Sequence, residues 1–200
     1  MPSRPGAEPR LPTEHRISRL FMVGSACFAV ASLPFAASLA HQGIVGVTYF
    51  TGSIFFTTAA FEQLRASQPD TLGWWASVVQ FAGTIFFNVS TFAAMKQGLS
   101  GHQTNLLVWA PDTVGSIGFL VSSVLAVPEA RGNNIATRVA IENLVGSVAF
   151  GISAIAAYIV PNTDQALNAA AATTWTLIGA ILFFRAAQLL PRATERARTT

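Results

Sequence analysis

The sequence is short of charge and of cysteine. Charged residues make up 10% of its 200 residues, whereas hydrophobic residues make up 52%. A soluble domain carries about 25% charged residues, so this composition argues against an ordinary soluble protein and favours a membrane protein. Cys27 is the only cysteine, which excludes an intramolecular disulfide and a metal cluster built on cysteine.

The sequence also lacks the patterns that carry catalysis or bind cofactors. Its three histidines, His15, His41 and His102, are scattered and predict no metal site. It has no nucleophile elbow, no phosphate-binding glycine loop and no zinc-protease motif. Twelve basic residues face nine acidic ones and lie beside predicted helix ends, so they do not indicate nucleic-acid binding. We therefore expect neither an enzyme nor a cofactor.

A five-residue motif, Gly-Ser-x-x-Phe, recurs once in each long apolar segment, with Thr or Ala replacing Ser in two copies. Successive copies are 28 to 33 residues apart. A period of about 31 residues indicates one repeated unit, with room for a membrane-crossing helix and a short turn. The glycines that begin the motif are Gly24, Gly52, Gly83, Gly115, Gly146 and Gly179.

The motif has the properties of a helix-packing surface. Helices in a bilayer associate through close contact, which small residues permit. The glycine and the phenylalanine four residues later lie on one helix face, about 6 Å apart along the axis. In two antiparallel helices with the motif at one depth, each phenylalanine would meet the other helix's glycine. We interpret the six glycines as packing residues; the alternative is that Gly, Ser and Phe are simply common in membrane helices.

The predicted fold is all-α, a polytopic membrane bundle of six transmembrane helices with an internal repeat. Residues 1–16 are predicted to be a disordered cytoplasmic tail, 17–190 the transmembrane domain, and 191–200 a basic cytoplasmic tail. The expected spans are 17–40, 44–64, 73–95, 105–127, 137–160 and 166–190.

Prolines are expected to shape three of these helices, because proline lacks a backbone donor. Pro161 and Pro191 should end the fifth and sixth helices, and Pro111 should kink the fourth or begin its regular part. The first segment has an alternative as a signal peptide, since Ser38-Leu39-Ala40 resembles a cleavage site.

The distribution of basic residues predicts the orientation. Eleven arginines lie on the side of the two termini, whereas Lys96 alone lies on the other side. By the positive-inside rule, both termini are cytoplasmic and the protein lies in a plasma (inner) membrane. The preference for arginine over lysine is a weak indication of a bacterial source.

From the third predicted helix onward, the chain resembles the YrhK-like membrane proteins, whose role is not established. The resemblance covers half to two thirds of the chain. It is carried by Gly83-Thr84-Ile85-Phe86-Phe87-Asn88, Trp109-Ala110-Pro111-Asp112, Gly115-Ser116, Ser122-Ser123 and the motif at Gly146. It implies a bacterial integral membrane protein with no catalytic residues to transfer.

Polar side chains within the predicted membrane are candidates for function, because they are unfavourable there and usually face the interior. Measured from the motif glycines, Asp112 and Asn88 lie in the outer half, and Gln80, Glu142 and Arg185 in the inner half. One interpretation is a polar route through the bundle. The alternative is that Asp112 caps the fourth helix while Glu142 and Arg185 form an ion pair, or that Arg185 extends to the inner surface.

Two functions remain open at this stage. The first is a small-solute or ion transporter or channel, with a polar route near the Pro111–Asp112 break. The second is a structural or accessory protein that packs against other membrane proteins or lipid. Expected partners are the lipid bilayer and either a second copy or another membrane protein, with no nucleic acid. Three hairpins and two inverted three-helix halves fit the repeat equally.

Overall fold

The computed structural model describes residues 13–34 and 42–199, which form six helices. The all-α prediction is confirmed. A two-stranded antiparallel pair, β1 (Ile159–Val160) and β2 (Gln165–Ala166), lies between the last two helices, with Ile159 opposite Ala166. The helices are α1 (Thr13–Ala31), α2 (Gln42–Ala66), α3 (Leu72–Ala94), α4 (Gly101–Glu129), α5 (Asn134–Ala157) and α6 (Ala169–Thr199).

Five of these helices, α2 to α6, are long and apolar enough to cross a bilayer, with mean hydropathies of 1.3 to 1.7 over their most apolar stretches. They are compatible with a multi-pass membrane protein. Within its described residues α1 is not such a span, because Glu14, Arg16 and Arg19 occupy its first two turns. The predicted first span, 17–40, extends into residues 35–41, which lie outside the described residues, so a sixth crossing stays a prediction.

The helices form a closed ring. Each helix packs against its neighbour in sequence, and α1 packs against α6. One end of the ring carries the α2–α3 and α4–α5 loops, the start of α1 and the end of α6. We call this end the base. The ring consists of three successive hairpins, α1–α2, α3–α4 and α5–α6.

Six phenylalanines, one from each helix and all from the repeated motif, meet at the centre of the ring. All are buried, and the ring centroids of contacting pairs are 5.0 to 6.5 Å apart. We call them the phenylalanine cluster. It fills the middle of the ring with apolar rings, and its members are Phe28, Phe56, Phe87, Phe119, Phe150 and Phe183.

The prediction that Pro191 ends the sixth helix is wrong, since α6 continues to Thr199. Proline at position 191 has no N–H to donate to the carbonyl of Ala187, four residues earlier. That carbonyl instead accepts a hydrogen bond of 2.6 Å from the Ser18 hydroxyl of α1. A neighbouring helix thus supplies the donor that the proline lacks, and α6 remains continuous.

The fifth helix ends at Ala157, before the predicted stop at Pro161. The following residues are held by other partners. Asn105 binds the backbone of Ile159 twice, donating to its carbonyl at 2.8 Å and accepting from its N–H at 2.9 Å. Because β1 and the Asn105 side chain provide hydrogen-bond partners for the backbone after Ala157, the chain leaves the helical conformation before Pro161.

The fourth helix begins earlier than predicted and contains an irregular turn. Ser100 and Gln103 form a reciprocal capping box, which starts the helix at Gly101. A π-helical turn then spans Asn105–Trp109, and α-helical geometry resumes at Ala110. The irregular turn therefore lies directly before Pro111, where the sequence predicts a kink or the start of the regular part.

Candidate functional site

A cavity of about 670 Å³ opens at the base of the ring, and all six helices contribute to its wall. Its polar lining consists of hydroxyl and amide side chains, joined by small alanines. Apolar side chains form the larger part of the lining surface, with polar groups between them. The polar side chains inside the cavity include Ser77, Gln80, Ser122, Ser123 and Asn143.

The cavity ends at the phenylalanine cluster. Phe119 and Phe183, two members of that cluster, form part of the cavity wall. The cavity therefore runs from the base to the middle of the ring and meets packed aromatic side chains there. Such an apolar constriction excludes water and ions until its side chains move.

The mouth of the cavity carries charged side chains, and Asn133 connects α5 to α6 there. Its amide oxygen accepts from the backbone N–H groups of Ile135 and Ala136, which caps α5, and its Nδ2 donates to the Ala193 carbonyl of α6 at 3.0 Å. Glu129 accepts from the backbone of Gly73 on α3 at 3.2 Å. The α4–α5 loop is thus fastened to both neighbouring helices.

Of the five predicted polar-route residues, Gln80 is the one that lines the cavity. Glu142 and Arg185 meet elsewhere, between α5 and α6. Glu142 is buried, and its Oε1 atom accepts from Arg185 Nη2 at 3.2 Å, so the predicted ion pair is present. The same oxygen also accepts from Arg138 Nε at 2.9 Å, a partner that the i,i+4 spacing could have indicated.

The other two predicted residues lie beyond the phenylalanine cluster, toward the end opposite the base. Asn88 Nδ2 donates to Thr57 Oγ1 at 2.9 Å and so joins α3 to α2, while its Oδ1 atom is buried without a partner. Asp112 lies in the first turn of the α-helical part of α4, close enough to Tyr49 of α2 for an electrostatic interaction. These groups and Gln80 therefore occupy opposite sides of the cluster.

The motif glycines lie opposite each other within each hairpin. A Cβ atom built on Gly24, Gly115 or Gly179 would be 3.0 Å from the carbonyl oxygen of the paired glycine. The pairs are Gly24 with Gly52, Gly83 with Gly115, and Gly146 with Gly179. The contact is too close for a larger residue unless the backbones separate.

Hydroxyl groups, not glycines, join one hairpin to the next. The Ser53 and Thr91 hydroxyls are 2.9 Å apart between α2 and α3, and the Ser123 and Ser147 hydroxyls are 2.8 Å apart between α4 and α5. Ser18 provides the corresponding bond between α1 and α6. The motif glycines thus pair inside hairpins, whereas hydroxyl bonds join the hairpins and also occur inside the first and third of them.

The fold and cavity define a class, that of a helical membrane protein with an internal cavity lined by both polar and apolar groups. Comparison of the sequence with protein-family models, with curated proteins and with solved structures finds no match. In residues 13–34 and 42–199, no three His, Cys, Asp or Glu side chains lie together as a metal site. The amide and hydroxyl side chains of the cavity lining can form hydrogen bonds with a solute.

Proposed function

We propose that this protein is a membrane transporter or channel for a small, polar solute that enters from the cavity at the base. The observation that carries the proposal is the cavity itself, surrounded by six helices and reaching the middle of the ring. Its size is within the range of small-molecule sites, roughly 300 to 1,000 Å³.

The lining of the cavity favours an uncharged or weakly charged solute. Gln80 and Asn143 each offer an amide donor and an acceptor, and Ser122 offers a hydroxyl that can act as either. The charged side chains of the lining, Glu129, Arg131 and Arg196, come from the α4–α5 end of the cavity and from the last turns of α6. A solute would therefore pass charge at the mouth and exchange hydrogen bonds deeper inside.

The phenylalanine cluster would act as the barrier of this route. On its far side Asp112 interacts electrostatically with Tyr49, and Asp112 follows the π-helical turn of α4 by three residues. Irregular helical turns are frequent at functional sites in membrane proteins, because they release backbone groups for binding. This supports a route near the Pro111–Asp112 break that is closed by aromatic rings at rest.

A substitution that fills the cavity tests the proposal. The protein is reconstituted into liposomes, and uptake of a panel of neutral polar solutes is followed by stopped-flow light scattering. We expect uptake above that of empty liposomes, and its loss in Ser122→Trp, whose indole would occupy the cavity. Val124→Trp is the matched control, because Val124 is on the same helix but 53% exposed on its outer face. Equal uptake in both variants would contradict the proposal.

The barrier has its own test. Phe119→Ala removes a ring that contacts Phe87 at 5.0 Å and Phe183 at 5.6 Å between centroids. Solute leak should rise in liposomes that contain this variant, although its stability should fall by about 3 to 5 kcal/mol. The measurement uses the fraction that elutes like wild type. No added leak in that fraction would mean that the cluster is not the barrier.

The accessory role is favoured by the same cluster, since a bundle closed at its centre also suits a purely structural protein. It makes a different prediction. Wild-type liposomes would then take up no solute faster than empty ones, and native mass spectrometry after mild detergent extraction would find a stoichiometric membrane-protein partner.

The proposed setting is the plasma membrane of a bacterium with both termini cytoplasmic, in keeping with the resemblance to YrhK-like proteins. Single cysteines at His102 and Asp164, in a Cys27→Ala background, should react with an impermeant thiol reagent in whole cells. Both positions are exposed at the end opposite the base. A cysteine at Ser3 should stay unlabelled, and its labelling in intact cells would reverse the orientation.

A further inference from the structure

A basic cluster lies on the outer surface of the α5–α6 hairpin, apart from the cavity. Arg138 and Arg185 both donate to a single oxygen of Glu142. Their side chains are 57% and 48% exposed, whereas that of Glu142 is 11% exposed. Two guanidinium charges against one carboxylate leave one net positive charge on this surface.

The cluster extends along α6 toward the base. Arg192 follows Arg185 by seven residues, which is two helical turns on the same face, and it is exposed. None of Arg138, Glu142, Arg185 and Arg192 belongs to the cavity wall. The three arginines therefore form one basic strip on the side of the ring that faces lipid.

The depth of the strip matches the region between hydrocarbon and lipid head groups. Arg138 is eight residues from Gly146, and Arg185 is six from Gly179. With the motif glycines at the midplane and 1.5 Å per residue, these positions are about 12 and 9 Å from the midplane, inside a hydrocarbon half-thickness of about 15 Å. Long arginine side chains extend from such depths to the head groups.

We propose that this strip binds the head group of an anionic phospholipid in the leaflet at the base. Arg138 uses its Nε atom and Arg185 one Nη atom in the contacts with Glu142. An arginine has five N–H donors, so both guanidinium groups retain donors that can bind phosphate oxygens in a forked geometry. Basic pockets between transmembrane helices bind anionic head groups by this chemistry.

Glu142 determines the shape of this site. By accepting from both arginines at one oxygen, it holds two guanidinium groups from different helices side by side. It also limits their net charge, which keeps the site stable in the absence of lipid, since unpaired charge at this depth is unfavourable. The phosphate supplies the second negative charge that the cluster lacks.

The test measures lipid preference by native mass spectrometry of the full-length protein in detergent micelles that contain phosphatidylglycerol or phosphatidylcholine. Wild type should bind phosphatidylglycerol more tightly. Arg138→Gln removes one positive charge of the strip but leaves the Glu142–Arg185 pair, so it should fold and lose about fivefold of the preference, equivalent to about 1 kcal/mol per arginine. Arg65→Gln is the control, because it removes an arginine from α2 at the same end.

A second variant covers the remaining contacts. Arg138→Gln combined with Glu142→Gln, Arg185→Gln and Arg192→Gln removes every charge of the strip and leaves no buried carboxylate unpaired. It should bind the two lipids with nearly equal affinity. Wild type without a preference, or a preference that survives in this variant, would overturn the proposal.

Two further outcomes would assign the strip to another ligand and also overturn it. If inorganic phosphate at the same concentration displaces phosphatidylglycerol, the site is one for a free anion. If wild type appears as a dimer that Arg138→Gln abolishes, the strip is an interface between two copies. Binding of phosphatidylglycerol that resists phosphate, by a monomer, supports the lipid site.

Discussion

Gly52→Ala is expected to destabilise the bundle by forcing apart the first hairpin. A Cβ atom at this position would lie 2.8 Å from Phe28 Cδ2, 2.9 Å from Cys27 Cβ and 3.0 Å from the Gly24 carbonyl oxygen. Two of these atoms belong to helix backbone or to the first side-chain carbon, so they cannot move unless α1 moves. The substitution therefore acts on the helix contact and not on a single rotamer.

The expected magnitude combines two opposing effects. Overpacking a well-filled contact is unfavourable by about 1 to 3 kcal/mol, whereas replacing a glycine inside a helix by alanine is favourable by roughly 0.5 to 1 kcal/mol. The net loss for Gly52→Ala is then about 0 to 2.5 kcal/mol, and the 2.8 Å contact places it in the upper half of that range. For a chain of this size each kcal/mol corresponds to about 2 to 4 °C in melting temperature.

Substitutions at two other glycines of the same protein provide the comparison. A Cβ atom on Gly146 would meet its neighbours at 3.3 to 3.4 Å, and one on Gly151 would meet nothing within 4 Å. Melting temperatures in detergent, measured by intrinsic fluorescence, should thus follow the order Gly52→Ala below Gly146→Ala below Gly151→Ala. Equal melting temperatures for the first and last would refute the interpretation of the motif as a contact surface.

Two further predictions concern polar contacts between helices, and both use melting temperatures in detergent. Arg138→Gln and Arg185→Gln should each lower stability only slightly, because Glu142 keeps one partner. The double variant should destabilise by more than the sum of the two, by up to about 3 to 5 kcal/mol, because it leaves a buried charge unpaired. Simple additivity would contradict the shared pairing. Ser18→Ala should destabilise by about 1 to 3 kcal/mol, since it leaves a buried carbonyl without a donor. The same change should be nearly neutral in a Pro191→Ala background, where a backbone N–H is restored, and an equal loss in both backgrounds would contradict the compensation.

The sequence was most informative where one residue pattern decides local packing. The spacing of glycine and phenylalanine in the motif predicted phenylalanines against glycines, and the structure places Phe56 against Gly24 and Phe28 against Gly52. All-α architecture and the Glu142–Arg185 pair were also predicted. These features depend on residues within one helix or one hairpin, so their geometry follows from helical periodicity.

Features that depend on distant residues could not be predicted in this way. Proline ends a helix in most contexts. At Pro191 the hydroxyl of Ser18, which is far away in sequence, changes that outcome. The pairing of Asn105 with Ile159 likewise joins α4 to β1, which are 54 residues apart in sequence. No local sequence pattern predicts either contact.

The cavity left a signal in the sequence, but a weak one. Pairs of small residues follow the motif glycine by seven and eight positions in the three even-numbered helices: Ala59-Ala60, Ser122-Ser123 and Ala186-Ala187. They lie one turn beyond the motif phenylalanines; the second and third pairs line the cavity, where larger side chains would fill the ring, whereas the first is packed in the core. The pattern indicates room, but only the closed ring of α1 against α6 turns that room into an enclosed volume.

The pairing of motif glycines within hairpins makes each hairpin a structural unit. Each hairpin holds its own glycine contact and meets its neighbours through a few hydroxyl bonds and its phenylalanines, so the polypeptide links between hairpins do not define the assembly. Chains cut within the loops at 67–71 or 130–133 would carry every surface that the ring requires. Co-expressed hairpins should consequently find one another in the bilayer and rebuild the same bundle from two or three separate genes.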